Sequence, residues 1–382
     1  MSADPEQEFF ADGMTEDIIT ALSKIPELFV IARNSTFVYK GQAVNIPQVG
    51  RELGVRYVLE GSVRRAGQRL RITAQLIDAK DGSHLWAERY DRQAEDVFDV
   101  QDEITRHVTT ALQVTLVWGE TARLWQDGTR NFEAWQYMAQ AWDQWYAATR
   151  KGAAEARRLA ELAVALDPDY GGAWGLIAWT YWFDARYTRT DQAAALLARA
   201  EEIIEKLSAA GLAEAQTWHI RSGILMVLGE SEAAIAAARR AVELAPGNSE
   251  MHATCGEILM FAGHNEEALA RARASVRMSP RSTGYYVINL FEALRWNGQL
   301  DGALITARDS IARSPDLQIP RINLISMLTE MGRHDETKEA ARELLALHPR
   351  FSLTAYGNGQ FYTDPARLDR VLGGLREAGL PD

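Results

Sequence analysis

The sequence predicts a small α+β domain followed by an all-α array of helix pairs. Two observations carry this. Residues 55–90 alternate apolar and polar side chains across two turn signals, the pattern of an antiparallel meander. From about residue 132 the chain turns Ala-, Leu- and Glu-rich, with helical periodicity and a proline recurring every 34 or 35 residues in its later half. The two textures meet near residue 117.

The first helix is expected to be capped by Asp12 or Thr15, with Ile18, Ile19, Leu22 and Ile25 as its apolar stripe and Pro26 as its stop. Leu28 to Ala32 (LFVIA) reads as a short buried strand. A second helix is predicted over about 46–53, with Pro47 in its first turn and Gly54 just past its end. In the meander, Val55, Tyr57, Leu59 and Val63 alternate with Arg56, Glu60 and Arg64. A turn at Ala66-Gly67 leads to Leu70, Ile72, Ala74 and Leu76, and Asp81-Gly82 turns into a third strand from Leu85 to Tyr90. One face is apolar and the other polar. A helix from about 97 to 116 follows, with Val100, Ile104, Val108, Ala111 and Leu112 on one side.

In the second texture, Pro168, Pro246, Pro280, Pro315 and Pro349 each close a helix. The last four lie 34, 35 and 34 residues apart. The gap of 78 from Pro168 to Pro246 fits two units and an insertion of about ten residues. Small residues repeat in step: Ala234, Ala238 and Ala241 before Pro246, and Ala156, Ala160 and Ala163 at the same offsets before Pro168. Ala268 and Ala272, then Ala303 and Ala307, repeat the first two of these and let paired helices approach closely. Six units follow, at about 132–168, 169–212, 213–246, 247–280, 281–315 and 316–349. A helix over about 364–378 is expected to cover the last apolar end.

Composition narrows the function. With 52 acidic against 41 basic residues, the formal charge is -11, which argues against a surface devoted to nucleic acid. A single cysteine, Cys255, allows neither an intrachain disulfide nor a cysteine-rich zinc site. Met1 to Phe10 carries three acids and no basic start to an apolar run, so no secretory signal is read. No stretch reaches about 18 apolar residues, so no spanning helix and no membrane partner are expected, and a cytoplasmic location is.

The array resembles tetratricopeptide repeats (TPR) over about 220 residues, and Trp174, Ile177, Ala178 and Tyr181 match the motif's first helix, as does Trp218. The first segment resembles the TolB-like amino-terminal domain that precedes such repeats in many bacterial proteins. The strings DPEQEFFADGMTEDIITALSKI, LFVIARNSTFVYKG, VGRELGVRYVLEGSVRRAGQRLRITAQLIDAKDGSHLWAERYDR and VFDVQDEI carry that resemblance. It implies a central first strand ahead of DPEQ, which is missing here. A shortened chain accounts for this, and so does a sheet position filled by another chain. The resemblance also implies a neighbouring class III adenylate cyclase or winged-helix domain. The expected organisation is a TolB-like domain at 1–116, a connecting helical segment at 117–131, repeats at 132–352, and a terminal loop and capping helix at 353–382.

No catalytic constellation is read. Asp96, Asp99, Asp102 and Glu103 cluster where a helix begins and suit its positive end. Gly357-Asn358-Gly359 reads as a loop, and His84 and His107 as structural histidines. Cys255 falls at a packing position. Arg64, Arg65, Arg69 and Arg71 flank one hairpin and read as a solvated sheet face.

Eight of eleven tryptophans fall between Trp118 and Trp182, which directs attention there. Trp135, Met138, Trp142, Trp145 and Tyr146 share one helical face, either a core stripe or a dock for the first domain. On the next helix Trp174, Ile177, Ala178 and Tyr181 are assigned to the repeat core. Trp179 and Phe183 then point to the other side, with Arg186 one turn on. Exposed aromatics beside an arginine form binding hot spots. Trp179, Trp182, Phe183, Arg186 and Tyr187 are therefore the candidate partner-binding residues, packing on the insertion at 187–191 or on the first domain being the alternative. The expected function is a non-catalytic protein-interaction scaffold, the regulatory or sensory module of a bacterial signalling protein. Its partner would be a protein or peptide in the repeat groove, self-association into a homodimer is open, and no cofactor, metal or nucleic acid is expected. The alternative is the regulatory region of a class III adenylate cyclase whose catalytic domain lies outside this chain.

Overall fold

A computed structural model describes residues 5–25, 28–42, 44–111, 129–146, 150–187, 192–280, 284–315 and 317–382. They form two compact units, 1–220 with 244–247, and 221–243 with 248–382.

The first unit opens with α1 (Pro5–Ser23), α2 (Arg33–Thr36) and α3 (Ile46–Leu53). Three strands follow, β1 (Tyr57–Ala66), β2 (Arg69–Asp78) and β3 (His84–Gln93), then α4 (Val97–Ala111). The sheet is antiparallel in the order β1-β2-β3, with a register irregularity at Leu76/Ile77. Its β2 residues Leu70, Ile72 and Ala74 are buried together with Phe10, Met14, Ile18 and Leu22 of α1 and Val97, Val100, Ile104 and Val108 of α4. Both helices thus cover one face of the sheet. Each large aliphatic side chain removed from water there contributes about 1.5–3 kcal/mol. The opposite face carries Ser62, Arg64, Arg71, Thr73, Arg89 and Asp91 on alternate positions, as period-2 geometry requires.

Several local expectations are corrected. Asp12 and Thr15 do not cap α1; both lie inside it, because the helix is already formed at Pro5. Asp12 is buried and meets Lys40 at 2.6 Å and Arg33 at 3.9 Å, while the Thr15 hydroxyl donates to Ala11 O one turn back. Burial raises the Asp12 pKa, against the pull of Lys40. α1 ends at Ser23, and the predicted stop, Pro26, lies outside the described residues. Leu28 to Ala32 is not a strand: among the described residues the sheet has the order β1-β2-β3 and this stretch pairs with neither edge. Ile31 instead packs with Val49 and Leu53 in a small satellite core. α3 matches its prediction, with Pro47 in the first turn and Gly54 at its end in the left-handed conformation, φ 68°. Asn45 adds a cap, its side chain accepting from Gln48 N at 3.1 Å. Residues 112–116 and Leu112 of the predicted stripe lie outside the described residues.

Helices then follow in pairs. They are α5 (Phe132–Tyr146) with α6 (Arg150–Leu166), α7 (Gly171–Tyr187) with α8 (Ala193–Ala210), and α9 (Glu214–Leu228) with α10 (Ser231–Leu244). The later pairs are α11 (Ser249–Phe261) with α12 (Asn265–Met278), α13 (Gly284–Trp296) with α14 (Leu300–Arg313), and α15 (Gln318–Glu330) with α16 (His334–Leu347). A short α17 (Leu353–Gly357) and α18 (Pro365–Glu377) complete the chain, with α18 packed on α15. The repeated alanines at 156, 160, 163, 234, 238, 241, 268, 272, 303 and 307 are all buried. One periodic signal was not read from the sequence. Gly229, Gly263, Gly298 and Gly332, 34 or 35 residues apart, follow α9, α11, α13 and α15 with φ between 68° and 87°. A glycine in that conformation ends a helix cheaply and lets the next begin at once.

Compactness does not divide the chain near residues 117–131. Trp135 of α5 is buried in the core of α1 and the sheet, its ring edge-on to Phe10 at 4.9 Å. Gly13 of α1 permits this approach, since a Cβ there would lie 2.7 Å from Ala139 and 2.8 Å from Trp135. The first helix pair is therefore anchored in the amino-terminal core. Of its predicted aromatic stripe, Trp135 and Met138 are buried and Trp142 and Trp145 half-buried, while the Tyr146 side chain lies outside the described residues.

Candidate functional site

The candidate residues sit on α7, which packs between α6 and α8. The sequence GGAWGLIAWTYWF leaves this helix without a polar face, so periodicity alone could not orient it. The structure corrects part of the expected assignment: Ile177 and Ala178 are buried as expected, but the tryptophans differ. Trp179 and Trp182 are buried, at 7% and 4% exposure, whereas Trp174 and Tyr181 are only partly buried. The Trp179 and Trp182 rings stack at 4.3 Å with planes 14° apart, and His219 of α9 lies 4.3 Å from Trp179 on the same cluster. Spacing of three residues puts both indoles on one helix face, and the first turns of α9 close over them. Burial pushes the His219 pKa down to about 3. Trp174 instead donates from its indole nitrogen to Pro168 O at 2.8 Å, tying the helix start to the turn before it.

Phe183 and Arg186 are half-buried. Phe183 meets Trp145 edge-on at 5.5 Å, and the Arg186 guanidinium lies 5.2 Å from the Trp182 ring. Arg157 of α6 stands 4.2 Å over the Tyr181 ring, pairs with Asp184 at 2.5 Å and donates to Thr180 Oγ1 at 2.8 Å. The pair α6–α7 is thus locked by a charge and a cation–π contact on one side. The expectation of Trp179 and Trp182 as exposed hot-spot residues is overturned. The two indoles belong to the buried interior, with Arg186 against Trp182 and Phe183 against Trp145. Tyr187 closes α7, but its side chain, like residues 188–191, lies outside the described residues.

A second polar set, within the second unit, was not read from the sequence. Arg295 of α13 is buried and pairs through two nitrogens with Glu330 of α15. Glu292 accepts from the Trp296 indole at 3.2 Å and from the Tyr362 hydroxyl at 3.5 Å. Arg367 of α18 lies 3.9 Å over the Trp296 ring and donates to Met260 O at 2.8 Å. Burial raises the Glu292 pKa, while the neighbouring Arg295 opposes the shift. The one signal available was an acid and a base three residues apart, Glu292 and Arg295, in an otherwise apolar helix.

The remaining candidates are placed as follows. Asp96 accepts from Gln93 N, Asp99 and Asp102 meet Arg130, and Glu103 meets Arg92, so the acids at the start of α4 are engaged locally. His107 packs edge-on to Trp86 at 5.3 Å. Cys255 is fully buried, and burial pushes its thiol up to about 11. Asp17 accepts from the indole of Trp135 at 2.5 Å and from Gln101 at 3.1 Å, and burial raises its pKa to about 6. Among the described residues, no three His, Cys, Asp or Glu side chains converge as metal ligands would, and no helix is long and apolar enough to cross a membrane.

Comparison with known proteins adds the following. No family model matches the chain. Over 173 residues it is 53% identical to "Putative adenylate cyclase 3" of Rhizobium meliloti (strain 1021), which is 45% of this chain and 30% of that protein. The match thus spans less than a third of the relative's length. Among solved structures, it is similar to a thermophilic TPR protein of Thermus thermophilus, at 19% identity and TM-score 0.41, over 51% of this chain and 98% of the other. It is also similar to YrrB, a TPR protein with an unusual peptide-binding site, at 20% identity and TM-score 0.31, over 48% and 88%. A third is a human IFIT1 dimer with m7Gppp-AAAA, at 12% identity and TM-score 0.48, over 96% and 81%.

Proposed function

We propose that the chain is a protein-interaction scaffold of the TPR type, the regulatory or sensory module of a signalling protein. The observation that carries this reading is the succession of helix pairs from residue 132 to 347, with buried alanines and inter-helix glycines repeating every 34 or 35 residues from residue 229 onward. Such an array offers a long surface whose side chains vary while its frame stays constant. The partner is a protein or peptide, engaged through Phe183 and Arg186 of α7, with Tyr187 at the helix end. An aromatic held rigid beside an arginine loses little entropy on binding. Residues 1–116 form a TolB-like domain, 132–352 the repeats, and 353–382 the terminal cap. Self-association of two chains is a further outcome that such a surface permits.

Affinity capture with the wild-type chain and with Phe183→Ala/Arg186→Glu tests the reading. A defined protein retained by the first and lost from the second supports it. Equal capture by both counts against the α7 surface, and no capture counts against the scaffold.

A second reading is the regulatory region of a class III adenylate cyclase with its catalytic domain outside this chain. The identity to "Putative adenylate cyclase 3" favours it. Conversion of ATP to cyclic AMP, measured for this chain alone and for a class III catalytic domain with this chain added, separates the two. No turnover by the chain and an altered rate of the catalytic domain support the second reading. An unchanged rate leaves the first.

A further inference from the structure

We infer that the tip of the meander is a binding site for a multiply phosphorylated small anion, independent of the protein-binding surface proposed on α7. The site is a groove of about 490 Å³ lined by Arg64, Arg65, Arg69, Arg71 and Arg92, with Asp91 and Asp96. In a chain of formal charge -11, five arginines meet in one groove against two carboxylates.

The two carboxylates answer only part of that excess: Asp91 pairs with Arg71 and is also influenced by Arg69. Asp96 is spent on the backbone, accepting from Gln93 N at 3.1 Å. Asp91 is shared between Arg71 at 2.6 Å and Arg89 at 3.3 Å, and its pKa is lowered chiefly by the bond from Arg71. Arg92 reaches Glu103 at 3.6 Å, and Arg65 donates to Gly67 O at 2.9 Å. Arg64 and Arg69 have no carboxylate within 4 Å among the described residues, and both are exposed. Strand register aggravates this, for Arg64 stands directly opposite Arg71. Like charges opposed across a ladder destabilise the pair. An anion seated between them converts that repulsion into attraction.

The chemistry of the lining selects the ligand class. All five cations are guanidinium groups, whose planar forks pair two-to-two with phosphate oxygens. Arg64, Arg69 and Arg71 share the polar face, while Arg65 and Arg92 stand on the alternate positions opposite Leu70, so the groove wraps the tip of the sheet and meets a ligand with several guanidinium groups. No aromatic ring lines the groove, so nothing there stacks on a base. The volume suits a small ligand held by its phosphates. The site therefore takes pyrophosphate, tripolyphosphate or the phosphate chain of a nucleotide, and does not distinguish the base.

Calorimetric titration of the full chain with tripolyphosphate at fixed ionic strength tests this, with ATP and a short single-stranded RNA as the other probes. Saturable binding of tripolyphosphate and ATP with similar affinity is expected, weakening as salt rises. The double variant Arg64→Gln/Arg69→Gln should weaken it about tenfold or more, whereas Arg308→Gln in the second unit should leave it unchanged. Because Arg64 and Arg69 lack a carboxylate partner among the described residues, the variant should fold as the wild type does. A second measurement needs no variant: tripolyphosphate should protect Arg64 and Arg69 of the wild type from an arginine-specific reagent, read by peptide mass spectrometry. Absence of saturable binding overturns the inference, as does binding unchanged in the double variant. Binding without protection of these arginines overturns it too. RNA bound much more tightly per phosphate than tripolyphosphate would make this a nucleic-acid surface and also overturn it.

Discussion

Arg295 and Arg69 are the same side chain under opposite conditions. Arg295 lies in the packed helix pairs of the second unit, its side chain 2% exposed, held by Glu330 and near Glu292. Arg69 stands at the exposed tip of the meander in the first unit, beside four other arginines and with no carboxylate within 4 Å among the described residues. Burial demands that a charge be matched within the fold, since an unmatched one would cost several kcal/mol. Exposure makes no such demand, so surplus charge persists only where water or a ligand meets it. The difference shows which arginines stabilise the structure and which are left for something outside it.

The comparison is broken most severely at Arg295. Arg295→Ala removes the buried cation beside Glu292 and leaves Glu330 with Arg370 at 3.1 Å as its partner; it should cost about 3 kcal/mol, read by urea denaturation. A loss under about 1 kcal/mol would show that water already reaches the pair.

Acid should act on the buried groups of the first unit next. His219 is held neutral in the fold, its pKa pushed down to about 3 by burial, while the unfolded chain binds a proton near 6.5. Its contribution is therefore complete above pH 6.5 and lost as pH falls below it, by up to about 1.4 kcal/mol per unit. His219→Phe should flatten the stability profile between pH 6.5 and 5.

Asp17 works in the other direction. Its folded pKa of about 6 exceeds the unfolded carboxylate value, so its contribution grows as pH falls through 6 and fades as pH rises. Asp17→Asn should remove that dependence and, by keeping an acceptor for the Trp135 indole, preserve the fold at neutral pH. A variant that unfolds at pH 7 would show that the ionised carboxylate is required.

The smallest effect belongs to the tip of the sheet. Arg64→Gln/Arg69→Gln should change stability by no more than about 0.5 kcal/mol without ligand, in the stabilising direction, because it relieves repulsion. A clear loss would mean that these arginines serve the fold, and the contrast with Arg295 would fail.

Sequence legibility follows the same physics. Alternation from Val55 to Tyr90 reports the sheet because one face is dry and the other wet. The prolines and alanines report the array because helix ends and close packing repeat with it. Leu28 to Ala32 misled because strand propensity is local while a ladder needs a neighbour. Asp12 looked like a cap but is a buried partner of Lys40 and Arg33, both well downstream in sequence and brought to it only by the fold. The α7 residues were recognised as a cluster, but a helix apolar all round does not reveal which side meets the core. Glu292, Arg295 and Glu330 escaped notice because their pairing joins two helices.

The scaffold reading is tested most directly by placing a photo-crosslinking residue at position 183 and irradiating the full chain in its native cells. The account predicts a discrete crosslink to a separate protein, lost when Arg186→Glu is added. Crosslinks confined to the chain itself, or unaltered by Arg186→Glu, would contradict it.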